Sequence, residues 1–262
     1  MEKLYIVLLG ILQSEPDDSV DYLVTNYILN HKHDFNDLST EQLAKACGVS
    51  KASISRFCRR VGLHDFYELK KIVSQCVPNP HKYHYEVHSD QEYFLDQYLD
   101  SVQYHLTRFK NQINYEDIND LVEDIHRYPN VILAGNLQAN HICMTLQYNL
   151  LNCEKLTQVK VKFSNLTKLI ENSDENTLLV VFSSTGRFFE RLYRPKTLKP
   201  IPKIYLITLS ALQSHFPFVY RIIHLHDHSD FVSGTLELQL IADMIAITYN
   251  EKYTSNTFTK TL

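Results

Sequence analysis

Across the first 77 residues, apolar positions recur at helical spacing, and no strand is needed to account for them. Val20, Leu23, Val24, Tyr27 and Ile28 follow the i, i+3, i+4, i+7 rhythm of a half-buried helix. The apolar stretch from Leu4 to Leu12 lacks a strongly basic leading region and a small-residue cleavage site, so it reads as an amphipathic helix rather than a signal peptide. The rhythm then stops. Pro78-Asn79-Pro80 and the residues after it interrupt any helix and mark 78–90 as a linker. Beyond it, helices are predicted over about 91–112 and 115–128. Short apolar runs at 131–134, 159–163, 178–182, 204–207 and 222–225 then alternate with amphipathic segments. Such alternation predicts βαβ units around a buried parallel sheet, followed by a long helix over about 234–253. The expected organisation is an all-α domain over 1–77 and an α/β domain over 91–262.

Composition narrows the class without changing this picture. With 262 residues, 44% hydrophobic and 21% charged, the chain has the length and balance of two folded domains. Its apolar runs fall well short of the ~18 residues needed to cross a bilayer, so no membrane association is expected. Five cysteines, an odd number with no CxxC pair, indicate neither a disulfide framework nor a zinc site and point to a reducing cytoplasm. A net charge of -4 excludes a nonspecific polycation and leaves local basic surface as the route to any nucleic acid.

That surface is predicted between Leu38 and Val61. Ser39 is placed to cap a first helix with Gln42 reaching back to it, Leu43 and Cys47 face inward, and Ala44 is small where a second helix crosses. Gly48 supplies the positive φ of a tight interhelical turn, and Val49 packs beneath it. Ser50 caps the second helix, whose Ile54, Phe57 and Val61 continue the buried stripe. The opposite face is expected to carry Lys51, Ser53, Ser55, Arg56, Arg59 and Arg60. With Ser50 at its start, this mixture of hydroxyls and cations suits a DNA major groove, where Arg pairs with guanine and phosphates accept from Lys or Ser. Lys45, Lys70 and Lys71 add nearby positive charge, while Asp65 and Glu68 subtract from it.

The segment Gly48 to Phe57, followed by Gly62-Leu63-His64-Asp65-Phe66-Tyr67-Glu68-Leu69-Lys70, resembles the RpiR family of bacterial regulators. The likeness extends upstream through Val20 to Val24 and Tyr27 to Asn30, covering essentially 1–77. The resemblance implies a sugar isomerase (SIS) domain with a flavodoxin-like parallel sheet over 91–262 that senses phosphosugars. It also implies a double-stranded DNA operator as partner and a homodimer or homotetramer as the assembly.

Two loops carry the implied effector site. After the first strand, a GxGxS pattern is replaced by Gly135-Asn136-Leu137-Gln138-Ala139, which keeps only the leading glycine. After the third, Ser183-Ser184-Thr185-Gly186-Arg187-Phe188-Phe189-Glu190 resembles SxSGxTxE, with Thr185 and Phe188 substituted. The candidate ligand-binding residues are therefore Gly135, Asn136, Gln138, Ser183, Ser184, Thr185 and Arg187, where hydroxyls and helix-start amides suit a phosphate or carboxylate. The histidines at 81, 84, 88, 226 and 228 lack a Cys partner or HExxH pattern, so no metal or cofactor is expected. No catalytic triad is apparent and no enzymatic activity is expected. Two alternatives remain: a sugar-phosphate isomerase with Glu190 or Glu237 as base, and an effector-independent DNA-binding dimer.

Overall fold

The computed structural model describes residues 2–32, 34–75, 93–160, 173–186, 188–189, 202–210, 216–224 and 233–254. It divides into two compact units, one built on Met1–Asn79 and the other on Pro80–Val161 with Asn165–Leu262. The linker expected at 78–90, and all of the histidines at 81, 84, 88, 226 and 228, lie outside the described residues.

The first unit is helical: α1 (Glu2–Ser14), α2 (Val20–Asn30), α3 (Thr40–Ala46), α4 (Lys51–Arg60) and α5 (Phe66–Gln75), with a 3-10 turn at Phe35–Asp37. Its core gathers Leu8, Val24, Ile28, Phe35, Leu43, Ile54, Phe57 and Leu69, all fully buried. On α2 the expected stripe needs one correction, because Leu23 faces outward while Thr25 is buried. This helix packs against both α1 and α4, which rotates its buried face toward Val24, Thr25 and Ile28.

The second unit contains α6 (Tyr93–Gln112), α7 (Tyr115–Arg127), β1 (Asn130–Gly135), α8 (Gln138–Asn152), β2 (Gln158–Lys160), β3 (Thr177–Ser183), β4 (Lys203–Thr208), β5 (Arg221–His224) and the C-terminal helix α9 (Ser233–Tyr253). The strands form an all-parallel sheet in the order β2-β1-β3-β4-β5, the flavodoxin-like order. Every residue of β3 is buried, which is why the run at 178–182 is continuously apolar rather than alternating. Val131, Leu133, Leu178, Val180 and Phe182 share one core with residues of α7, α8 and α9, as the two-residue period of strands requires. Residues 161–163 and 225, the ends of two predicted runs, lie outside the described residues.

Charged groups tie α7 to the sheet. The buried carboxylate of Asp124 accepts a hydrogen bond from the Tyr205 hydroxyl at 2.7 Å and pairs with Lys203 at 2.6 Å. Burial, reinforced by Asp124, pushes the Tyr205 hydroxyl far above the usual phenol range. Arg221 on β5 bridges Asp117 and Asp120 of α7 at 3.0 and 2.5 Å. Cys47, Cys58, Cys143 and Cys153 are free thiols. Among the described residues no helix is long and apolar enough to cross a membrane.

Candidate functional site

The α3–α4 pair is fixed at each end by local hydrogen bonds that its sequence specifies. Ser39 Oγ accepts from the Gln42 amide at 3.2 Å while Gln42 Oε1 accepts from the Ser39 amide at 2.7 Å, a complete capping box. At the other end of α3 the Val49 amide donates to Ala44 O at 2.9 Å and the Gly48 amide to Lys45 O at 3.2 Å, closing a Schellman turn. Gly48 sits at φ +66° in that turn. Ser50 caps α4 by accepting from the Ser53 amide at 3.1 Å, and Gly62, at φ +84°, ends it with a second Schellman turn. The angle between the two helices is thus set by short-range chemistry before any core packing is considered.

The buried face of α4 consists of Ser53, Ile54, Phe57 and Cys58. Lys51, Ser55, Arg56, Arg59 and Arg60 are exposed on the other side, with the cap residue Ser50. Ser53 departs from the expected outward placement: it is only 8% exposed. One helical turn before Phe57 and next to Ile54, it falls inside the inward sector, and its hydroxyl lies 2.9 Å from Ser50 Oγ. From there it accepts from Arg56 Nη2 at 3.2 Å, so Ser53 braces an exposed arginine from the inner side of the helix instead of facing outward itself.

The cations differ in their surroundings. Lys51 Nζ is 2.7 Å from Glu41 Oε2, and that bond with Lys51, with its charge, holds the Glu41 carboxyl below the usual range. Arg60 is ion-paired with Asp21 of α2. Arg56 and Arg59 have no carboxylate partner among the described residues. Asp65 and Glu68 are occupied at the start of α5, where Asp65 Oδ1 accepts from the Glu68 amide at 2.8 Å and Glu68 Oε2 from the His64 amide at 2.7 Å. Glu41 and Asp21 escaped the sequence reading because their partners lie 10 and 39 residues away, a proximity that only the folded helices create.

In the α/β unit, the strand order reverses between β1 and β3, the position where open parallel sheets accept ligands beyond their carboxyl ends. Gly135 pairs with Phe182 across these neighbouring strands, so the loops beginning at Gly135 and Ser183 emerge side by side. A Cβ on Gly135 would sit 2.7 Å from the Ala139 carbonyl carbon, so only glycine lets α8 start this close to the strand. Leu137 adopts φ 51° and ψ -116°, a backbone conformation natural to glycine. Asn136 is half-buried and Gln138 exposed, with Gln138 Oε1 accepting from the Thr235 hydroxyl of α9 at 3.2 Å. Ser183 ends β3 and is buried, whereas Ser184 and Thr185 are exposed in a turn closed by the Gly186 amide donating to Ser183 O at 3.0 Å. Ser210 supports that turn by donating to Ser184 O at 3.1 Å. Arg187 and Glu190 lie outside the described residues. Glu237 is buried, with Oε1 3.6 Å from Nδ1 of His105.

A model of the rpiR-family helix-turn-helix domain matches residues 17–79. The HTH-type transcriptional regulator GlvR of Bacillus subtilis is 23% identical over 192 residues, covering 72% of this chain and 71% of GlvR. An uncharacterised HTH-type transcriptional regulator of Caldanaerobacter subterraneus is 49% identical over 47 residues, 18% of this chain and 17% of its own length. In fold, the chain is similar to the Vibrio vulnificus NanR protein complexed with ManNAc-6P, with a TM-score of 0.50 and 16% identity over 97% of this chain and 94% of that one. Residues 17–79 are therefore an rpiR-family helix-turn-helix domain, and the chain that carries it is similar over most of its length to an HTH-type transcriptional regulator.

Proposed function

We propose that the chain is a transcriptional regulator of the RpiR type that reads duplex DNA with the exposed face of α4, using Lys51, Ser55, Arg56, Arg59, Arg60 and the Ser50 end of the helix. The carrying observation is that capping and turn chemistry fix α4 across α3 while its polar side, rich in hydroxyls and cations, is left outward. Residues 1–77 act as the reading head, 78–90 as a linker, and 91–262 as the effector and assembly domain. The protein works in the cytoplasm as a homodimer. Two-fold symmetry then matches a palindromic operator with half-sites about 34 Å apart or a multiple of that. Duplexes selected by the full-length protein from a random pool test this: they are expected to be palindromic, and a selection that returns no preferred sequence overturns it.

The effector is a small sugar phosphate held between the loops at Gly135–Gln138 and Ser183–Thr185. Support comes from their placement at the switch point of the sheet, and from the phosphosugar in the similar NanR structure. Binding acts by coupling, with a free energy on the order of 1 to 3 kcal/mol passed to operator affinity. The protein performs no turnover, because the first loop has Leu137 and Ala139 where the SIS pattern places Gly and Ser. Calorimetry with a panel of sugar phosphates is expected to find one that binds and alters operator affinity. Measurable isomerisation of any of them would overturn the non-enzymatic reading.

A further inference from the structure

The cationic side of α4 is unevenly available. Its two end cations each face a carboxylate delivered by another helix, Glu41 of α3 against Lys51 and Asp21 of α2 against Arg60. Between them, Arg56 and Arg59 have no such partner among the described residues. These are not neighbours along one helix, for the core of the domain holds α2, α3 and α4 together and so sets both pairs.

Association with arbitrary duplex is driven almost entirely by cations that displace counterions at phosphates, whereas sequence is read by placed bonds to base edges. A cation already held by a carboxylate must leave it to reach a phosphate, and the carboxylate left behind repels the backbone. Operator binding loses less, because the unpaired arginines remain for base contacts.

We propose that Asp21 and Glu41 are specificity-determining residues, holding Arg60 and Lys51 in internal pairs that suppress binding to non-operator DNA. This rests on the reading of α4 as the groove-facing helix. The two carboxylates differ in setting: Glu41 is exposed, whereas the Asp21 side chain is only 16% exposed. At Asp21, burial raises the carboxyl pKa more than Arg60 lowers it.

The test uses full-length wild type, Asp21→Asn, Glu41→Gln and the double variant. Fluorescence anisotropy follows binding to the duplex selected by the wild type and to a scrambled duplex of equal length, across a salt series. The double variant is expected to bind the scrambled duplex roughly tenfold more tightly, with the slope of log K against log salt steeper by about 1.8, or ~0.9 per freed cation. The selected duplex gains less, so the ratio between the two falls. An unchanged slope, an equal gain on both duplexes, or weaker binding to both overturns the proposal. Glu41→Gln, at a solvated position, keeps the test decisive should Asp21→Asn unfold. A wild type that prefers no duplex refutes the underlying groove reading instead, which is a separately visible result.

Discussion

Arg56 donates from Nη2 to the buried hydroxyl of Ser53, 3.2 Å away on the preceding turn of α4. Because that hydroxyl is itself tied to Ser50 at the helix cap, the guanidinium is partly ordered before DNA arrives. Arg56→Ala is expected to weaken operator binding by about 1 to 3 kcal/mol, the range for a bidentate guanine contact. Ser53→Ala leaves the charge and removes the brace, so its effect is expected to be smaller and confined to the operator. Anisotropy titrations on operator and scrambled duplexes check both, and an Arg56→Ala protein with wild-type affinity removes the residue from the interface.

Among the described residues, three Schellman turns close helices, at Gly48, Gly62 and Glu154. The first two put glycine in the left-handed position, whereas Glu154 occupies it at φ 59°. At Gly48 a Cβ would meet nothing within 4 Å, so Gly48→Ala is expected to cost about 1 kcal/mol by backbone strain alone. Glu154→Gly is expected to move the other way by a similar amount. Hydrogen exchange at the amides of α4 and α8 measures each change in its own unit, and opposite signs are the required result.

Much of this was legible in the sequence because its carriers are local. The Ser39–Gln42 box, the glycine turn and the Ser50 cap each involve residues within five positions of one another, and each stands where the spacing put it. The strands were legible for a different reason: a parallel sheet buried on both faces needs uninterrupted apolar runs. Ser53 was misplaced because the predicted stripe used Ile54, Phe57 and Val61 alone, while the actual contact with the core is wider and includes Cys58. The ion pairs of Lys51 and Arg60, and the Asp124–Tyr205 bond spanning 81 residues, depend on tertiary approach and left no periodic trace.

Leu137 stands where the resembled pattern has its second glycine and keeps a glycine-like backbone, φ 51° and ψ -116°. Such a conformation stores about 1 to 3 kcal/mol of strain in a residue with a Cβ. Leu137→Gly is therefore expected to raise stability, and Gly135→Ala to lower it sharply by driving the start of α8 away from β1. Urea unfolding followed through the α/β unit distinguishes them. A Leu137→Gly protein no more stable than wild type means that lost side-chain contacts outweigh the relieved strain.

Cys47 at the end of α3 and Cys58 on the inner face of α4 lie in the core, and burial pushes both thiols up to about 11 from an ordinary 9.0. The sign follows from linkage: above pH 9 the unfolded chain releases these protons while the folded one retains them, so stability falls as pH rises from about 9 toward 11. Hydrogen exchange at the α3 and α4 amides at pH values across that window is expected to report progressive loosening. Cys58→Ala lowers the starting stability but flattens the dependence, and an unflattened profile would show that other groups control it.

Asp124 in the α/β unit is almost wholly buried and still contacts Lys203, Tyr205 and Arg127. Removing a partner does not merely subtract that partner's bond; it leaves a desolvated carboxylate short of compensation. Tyr205→Phe deletes one hydrogen bond to a charged acceptor, worth about 1.5 to 3 kcal/mol, but leaves the Lys203 cation in place. Lys203→Met deletes the nearer countercharge and is expected to cost more, about 3 to 5 kcal/mol. The order Lys203→Met below Tyr205→Phe below wild type in chemical unfolding is the prediction. The reverse order would mean that the hydroxyl, rather than the ammonium, is what allows a carboxylate to remain buried beneath α7.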